Sequence, residues 1–202
     1  MSVLEIETPH GPARAHVRPA DDPRGLLVLG HGAGGGVQAR DLVAAAGAAL
    51  AERFSVALVE QPYRVAGRKS PAPAGQLDTA WTAVIEHLRA AGLAPAGDLA
   101  LVTGGRSSGA RVACRTAAAT GAAGVLCLAF PVHPPGRPEK SRLDELDAVS
   151  VPVLIVQGAS DPFGMPPEAP GRTVVTVPGN HSLTGDLDTL RGAVGDWLRT
   201  LA

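Results

Sequence analysis

Cysteine is nearly missing from this chain: it occurs twice in 202 residues, at Cys114 and Cys127, each in apolar surroundings. Two small buried hydrophobes in a reducing compartment account for both, so neither a disulfide nor a metal site is expected. A surplus of charge is missing too. The 18 Lys and Arg against 19 Asp and Glu leave a formal net charge of -1, and no basic run exceeds the pair Arg68-Lys69. Nothing builds the basic stripe that a nucleic acid or an anionic lipid surface requires. Long apolar runs are also lacking. The stretch from Gly121 to Phe130 is soon broken by Pro131, Pro134 and Pro135, well short of the roughly 20 residues that cross a bilayer. Met1 to Thr8 carries Glu5 and Glu7 where a secretory signal would have positive charge followed by an apolar stretch. These absences lead us to expect a soluble, cytoplasmic protein with no nucleic-acid or membrane partner. The oligomeric state stays open.

What is present is an alternation of strand-length apolar runs with longer helical patterns, the mark of an α/β fold with a mostly parallel sheet covered on both faces. The length suits one domain over residues 1–202. Val3 to Glu7 and Arg14 to Arg18 alternate polar and apolar residues about Pro9-His10-Gly11-Pro12, which predicts an N-terminal antiparallel hairpin at the sheet edge. Gly25 to Leu29, Val56 to Glu60, Leu99 to Thr103, Val125 to Ala129 and Val153 to Gln157 are almost continuously apolar, as parallel strands buried on both faces must be. Arg172 to Val177 supplies a last strand. Helical spacing recurs in Leu77, Trp81, Val84, Ile85 and Leu88, and again from Leu187 to Leu201. Further helices are expected over Asp41 to Arg53 and over the alanine-rich Ser108 to Thr120. Gly67 to Gly75 and Pro131 to Lys140 read as surface loops.

The strongest local signal is Gly105-Arg106-Ser107-Ser108-Gly109, a G-x-S-x-G between a predicted strand and a predicted helix. A sharp turn there would lift the Ser107 hydroxyl above the sheet edge as a nucleophile elbow, with the helix N-terminus favouring a developing oxyanion. The same five residues also describe a turn whose serine merely caps the helix, so context has to decide. A second signal is the glycine-rich loop from Gly30 to Gly36, just after a strand. It can offer the N–H of Ala33, with Gly34 as second choice, to an oxyanion hole completed by the N–H of Ser108. A phosphate cradle is the rival reading, but neither Lys-Ser nor Lys-Thr follows the glycines, and no G-x-G-x-x-G register leads to a suitable acid. His31 precedes the serine in the chain and reads as a structural residue of this loop.

Two later residues complete a Ser-acid-His order. Asp161 lies in the loop after the strand Val153 to Gln157, and His181 in the loop after Arg172 to Val177. Alone, one is an Asp-Pro turn former and the other a surface histidine. In sequence with Ser107 they predict a triad in which His181 is general base and Asp161 its orienting acid. His133 could bind substrate or hold the proline-rich loop, and Arg106 and Arg111 could meet an acidic substrate or be solvated.

With these motifs the chain resembles the α/β-hydrolase superfamily, and within it the small lidless hydrolases related to dienelactone hydrolases and to the KANSL-type and testis-expressed hydrolase-like proteins. The resemblance runs from Gly25-Leu26-Leu27-Val28-Leu29-Gly30-His31-Gly32 to the final helix, with Gly104 to Arg111 and Phe130 to Lys140 as its more specific marks. It implies Ser107, Asp161 and His181 as nucleophile, acid and histidine. Dienelactone hydrolases proper use a cysteine nucleophile, so their lactone substrate does not carry over. The resulting expectation is hydrolysis of a small carboxylic ester or thioester, without metal or organic cofactor, with amide hydrolysis as a weaker version. The alternative is a non-catalytic interaction module that keeps the fold. Between Ala129 and Val153 only a proline-broken connection and the polar stretch Arg142 to Asp147 are available, too little chain for a lid.

Overall fold

The computed structural model describes residues 2–93 and 99–201. Among these, eight strands form one sheet: β1 (Ser2–Ile6), β2 (Ala13–Arg18), β3 (Gly25–Gly30), β4 (Phe54–Glu60), β5 (Ala100–Arg106), β6 (Gly124–Leu128), β7 (Val153–Gly158) and β8 (Arg172–Val177). Their spatial order is β1-β2-β4-β3-β5-β6-β7-β8. Strand β2 runs antiparallel to β1 and to β4, and every other pairing is parallel. The expected edge hairpin is therefore present. Periodicity gave no hint that β2 would pair with β4 rather than with β3.

Strand texture follows burial. All six residues of β3 and of β7 are buried, whereas β2 alternates, with Ala13, Ala15 and Val17 inward and Arg14 and Arg18 exposed. Among the described residues six helices accompany the sheet: α1 (Arg40–Ala51), α2 (Pro62–Val65), α3 (Ala74–Ala90), α4 (Ser108–Thr120), α5 (Leu143–Asp147) and α6 (Leu187–Arg199). Leu27 and Leu29 of β3 join the core under α1 and α6. Their neighbours Leu26 and Val28 join the opposite core, with Leu77, Trp81, Val84, Ile85 and Leu88 of α3. Each such side chain stabilises the fold by roughly 1.5–3 kcal/mol on burial. Helix α4 packs closely through Ala110, Ala113 and Ala117, and beneath it the free thiols of Cys114 and Cys127 touch at 3.6 Å.

Between β6 and β7 the chain carries only the proline-rich loop and the five-residue α5, and no lid domain is inserted. Because β3 and β5–β8 are parallel, their carboxyl ends share one edge of the sheet, where the loops after β3, β5, β7 and β8 meet. No helix among the described residues is long and apolar enough to cross a membrane.

Candidate active site

Strand β5 passes into α4 through Ser107 alone. Ser107 has φ 52° and ψ -105°, a conformation that costs a non-glycine residue of order 1–3 kcal/mol and persists only where its surroundings impose it. The surroundings are visible. The Ser107 N–H donates to Leu128 O of β6 at 2.9 Å, and the Arg111 N–H donates to Ser107 O at 3.2 Å. The end of β3 presses on the same turn, so that a Cβ on Gly105 or on Gly109 would stand 2.4 Å from Gly30 O. Only glycine fits at those two places, which is the physical content of the G-x-S-x-G pattern. Ser107 occupies the N-cap position of α4, yet its side chain makes no cap hydrogen bond. The helix-capping reading of this serine therefore fails.

The hydroxyl is instead paired with His181. His181 Nε2 lies 2.9 Å from Ser107 Oγ, and Nδ1 lies 2.8 Å from Asp161 Oδ2. With Nδ1 donating to the carboxylate, Nε2 is left as the acceptor for the Ser107 proton. The Asp161 side chain is buried and held from two more sides: Oδ2 accepts from Gln157 Nε2 and Oδ1 from the Phe163 N–H, both at 2.9 Å. The Phe163 ring meets the imidazole edge-on at a centroid distance of 4.4 Å. Loop contact depends on Gly158, where a Cβ would come within 2.3 Å of Asn180 O, so β7 and the His181 loop touch backbone to backbone.

The glycine-rich loop is fixed from below. His31 is buried, with Nδ1 at 2.8 Å from Gly32 O as donor and Nε2 accepting from the Gln61 N–H at 3.1 Å. Burial pulls its pKa down from the ordinary value, so the ring stays neutral and can serve both roles. The Tyr63 hydroxyl donates to Ala33 O at 2.8 Å, and burial pushes its pKa up to about 12, so it remains a donor. Among the described residues, the N–H groups of Ala33 and Gly34 donate to no protein acceptor. Ala33 and Ser108 border the cavity in front of Ser107, while Gly34 stands in open space.

That cavity measures about 260 Å³ and is also lined by Pro131, Phe163, Arg111 and Arg142. Arg106 points away from it. Its Nε is paired with the buried Asp41 of α1 at 2.8 Å, and Nη2 donates to His181 O at 3.1 Å, so the residue before the serine ties α1 to the histidine loop. His133 Nδ1 bonds to Pro134 O at 2.9 Å, and the His133 N–H donates to Phe163 O, as a loop-holding residue would. Sequence reasoning missed Gln157, Tyr63 and Asp41. Gln157 had a signal, being a polar residue inside an otherwise apolar strand just ahead of the acid loop.

Comparisons with known proteins give the family and the fold. A family described as "Alpha/beta hydrolase domain" matches residues 23–184. Among solved structures, the chain is similar to XC6422 from Xanthomonas campestris, described as an a/b serine hydrolase without lid. That likeness has a TM-score of 0.77 at 24% identity and covers 98% of this chain and 94% of that one. It is also similar to Est1E from Butyrivibrio proteoclasticus, with a TM-score of 0.77 at 16% identity, covering 100% and 99%. Dienelactone hydrolase from Anabaena variabilis has a TM-score of 0.73 at 14% identity, covering 99% and 97%. At these identities the structures show the shared fold. A comparison with curated protein sequences returns no match.

Proposed function

This chain belongs to the alpha/beta hydrolase domain family, and from that premise we propose that it is a serine hydrolase cleaving a small carboxylic ester or thioester through an acyl-enzyme on Ser107. The observation that carries the reading is the unbroken hydrogen-bond chain Ser107–His181–Asp161, set at a backbone turn too costly to be accidental. We read the chain as one domain that takes a small-molecule substrate.

Ser107 Oγ attacks the substrate carbonyl as its proton passes to His181 Nε2, and the tetrahedral oxyanion falls to the N–H groups of Ser108 and of Ala33, with Gly34 as second choice for the latter. Asp161 keeps the imidazole in the receptive tautomer and stabilises the imidazolium. His181 then returns the proton to the leaving alcohol or thiol, and the acyl group remains on Ser107. Water, deprotonated by His181, releases the acid and restores the serine. No metal or organic cofactor takes part in this scheme.

Fluorophosphonate treatment followed by peptide mapping tests it. Label on Ser107, together with a loss of several orders of magnitude in ester turnover for a folded Ser107→Ala, is the expected result. Wild-type activity in Ser107→Ala refutes it.

A further inference from the structure

Among the described residues, the wall of the Ser107 cavity contains two arginines and no carboxylate. Arg111 is committed elsewhere, since its Nε and Nη2 donate to the two oxygens of Glu145 at 2.8 and 2.6 Å. Arg115, behind it, is committed to both oxygens of Asp78 and to Glu145. Two guanidinium groups, those of Arg111 and Arg115, thus take up the two carboxylates Glu145 and Asp78, each of whose oxygens already accepts a bond. Arg142, half-buried as the residue before α5, is the cation left over: its side chain has no hydrogen bond or ion pair with any described residue. Burial, the repulsion of Arg111 and, more weakly, that of Arg115 pull its pKa down, outweighing the attraction of Glu145. A guanidinium stays charged under such pressure, and an anion brought beside it relieves both penalties.

Resting on the serine-hydrolase reading, we propose that the physiological substrate is a small ester or thioester carrying a second, ionised carboxylate, and that Arg142 receives that carboxylate while Ser107 attacks the ester carbonyl. A monoanion matches one surplus cation, whereas a phosphate dianion would leave a charge uncompensated in a partly dry pocket. A cavity of about 260 Å³ has room for a short chain between the two groups and none for a nucleotide-sized body. The remaining lining, Ala33, Pro131, Pro135 and Phe163, suits that short apolar connection. The carboxylate belongs either to the acyl half, as in a half-ester of a short dicarboxylic acid, or to the alcohol half, as in an acylated hydroxy acid.

Hydrolysis is followed by titration of released acid in two arms, monoethyl glutarate against ethyl pentanoate, and the butyryl ester of 3-hydroxypropanoate against butyl butyrate. In the correct arm the charged ester has the higher kcat/KM by about tenfold to a hundredfold, the range of a charge-assisted hydrogen bond. Arg142→Gln lowers that ratio at least about tenfold, Arg142→Lys restores part of it, and added salt erodes it. The exposed cation Arg137 controls for a diffuse surface field. A ratio near unity in both arms, no change of the ratio in Arg142→Gln, or an equal fall in Arg137→Gln overturns the proposal. Calorimetric binding of monomethyl glutarate to Ser107→Ala, with and without Arg142→Gln, separates the two readings. Arg142-dependent binding, where fluorophosphonate leaves the wild-type protein unlabelled, supports the anion site and refutes the hydrolase. Labelling of Ser107 without charge preference does the reverse.

Discussion

Replacing Asp161 by Asn changes one atom, and the structure shows why that atom cannot be spared. The carboxylate accepts three hydrogen bonds, from Gln157 Nε2 and His181 Nδ1 on Oδ2 and from the Phe163 N–H on Oδ1. An amide has one accepting end and one donating end. If its oxygen faces Gln157 and His181, its NH2 confronts the Phe163 N–H. If it flips, the NH2 confronts Gln157 and obliges His181 Nδ1 to accept, which leaves the proton on Nε2 and removes the base that Ser107 needs. Either orientation strands a buried donor, at a cost of about 1–3 kcal/mol. The flipped orientation adds a rate loss that the serine-protease template puts at about 10⁴. Urea unfolding and kcat/KM on a butyrate ester measure the two effects separately. We expect Asp161→Asn to fold, to lose about 1–3 kcal/mol of stability, and to lose at least about three orders of magnitude in rate. A variant within about tenfold of wild type would show that the carboxylate does not set the tautomer.

Arg106→Met should cost about 3–5 kcal/mol in urea unfolding, because the carboxylate of Asp41 is left buried without its cation. Adding Asp41→Asn should return a good part of that loss, and a fully stable single variant would count against the pairing. His31, held neutral by burial, has a folded pKa below its unfolded one. The unfolded chain therefore binds more protons, and stability is lost as pH falls through about 6.5. His31→Gln should lower Tm above that pH but flatten its dependence below it, and parallel curves for the two proteins would refute the assignment. Among acetate, butyrate, octanoate and palmitate esters of one chromogenic alcohol, kcat/KM should peak at a short chain, because methylenes beyond the cavity of about 260 Å³ forgo roughly 0.8 kcal/mol each. A maximum at palmitate, or a rate jump above its critical micelle concentration, would overturn the lidless pocket.

Much of this architecture was legible because its signals are short-ranged. A strand buried on both faces must be apolar at nearly every position, so β3, β5, β6 and β7 could be read within a residue or a few of their ends. The elbow could be read because steric contact with Gly30 leaves glycine alone at positions 105 and 109. Asp161 and His181 could be nominated because strands deliver their following loops to one edge in chain order. Pairing between distant segments left no such trace. Arg111 and Glu145 are 34 residues apart, and Arg106 and Asp41 stand on different elements. Only with those partners known does Arg142 stand out among the 18 basic residues. A surplus cation is a property of the folded neighbourhood, and residue type does not encode it.

Gln157 lies between these cases, and its chemistry argues for the order in which the site is built. It is fully buried at the end of β7, and its amide nitrogen reaches Phe130 O, Asp161 Oδ2 and Gly164 O at 3.2, 2.9 and 2.9 Å. A leucine there would fit the strand but leave a lone pair of the carboxylate empty in a dry environment. A lysine or arginine would fill it, but its charge would cancel the negative charge that the imidazolium needs during the reaction. A neutral donor satisfies the oxygen without spending its charge. It does so at a cost, because Gln157 Oε1 has no partner among the described residues, and a buried unpaired carbonyl is unfavourable. A sequence selected for stability alone has no reason to keep that residue inside an apolar strand. One that must hold the Asp161 carboxylate oriented against His181, as the proposed mechanism requires, does.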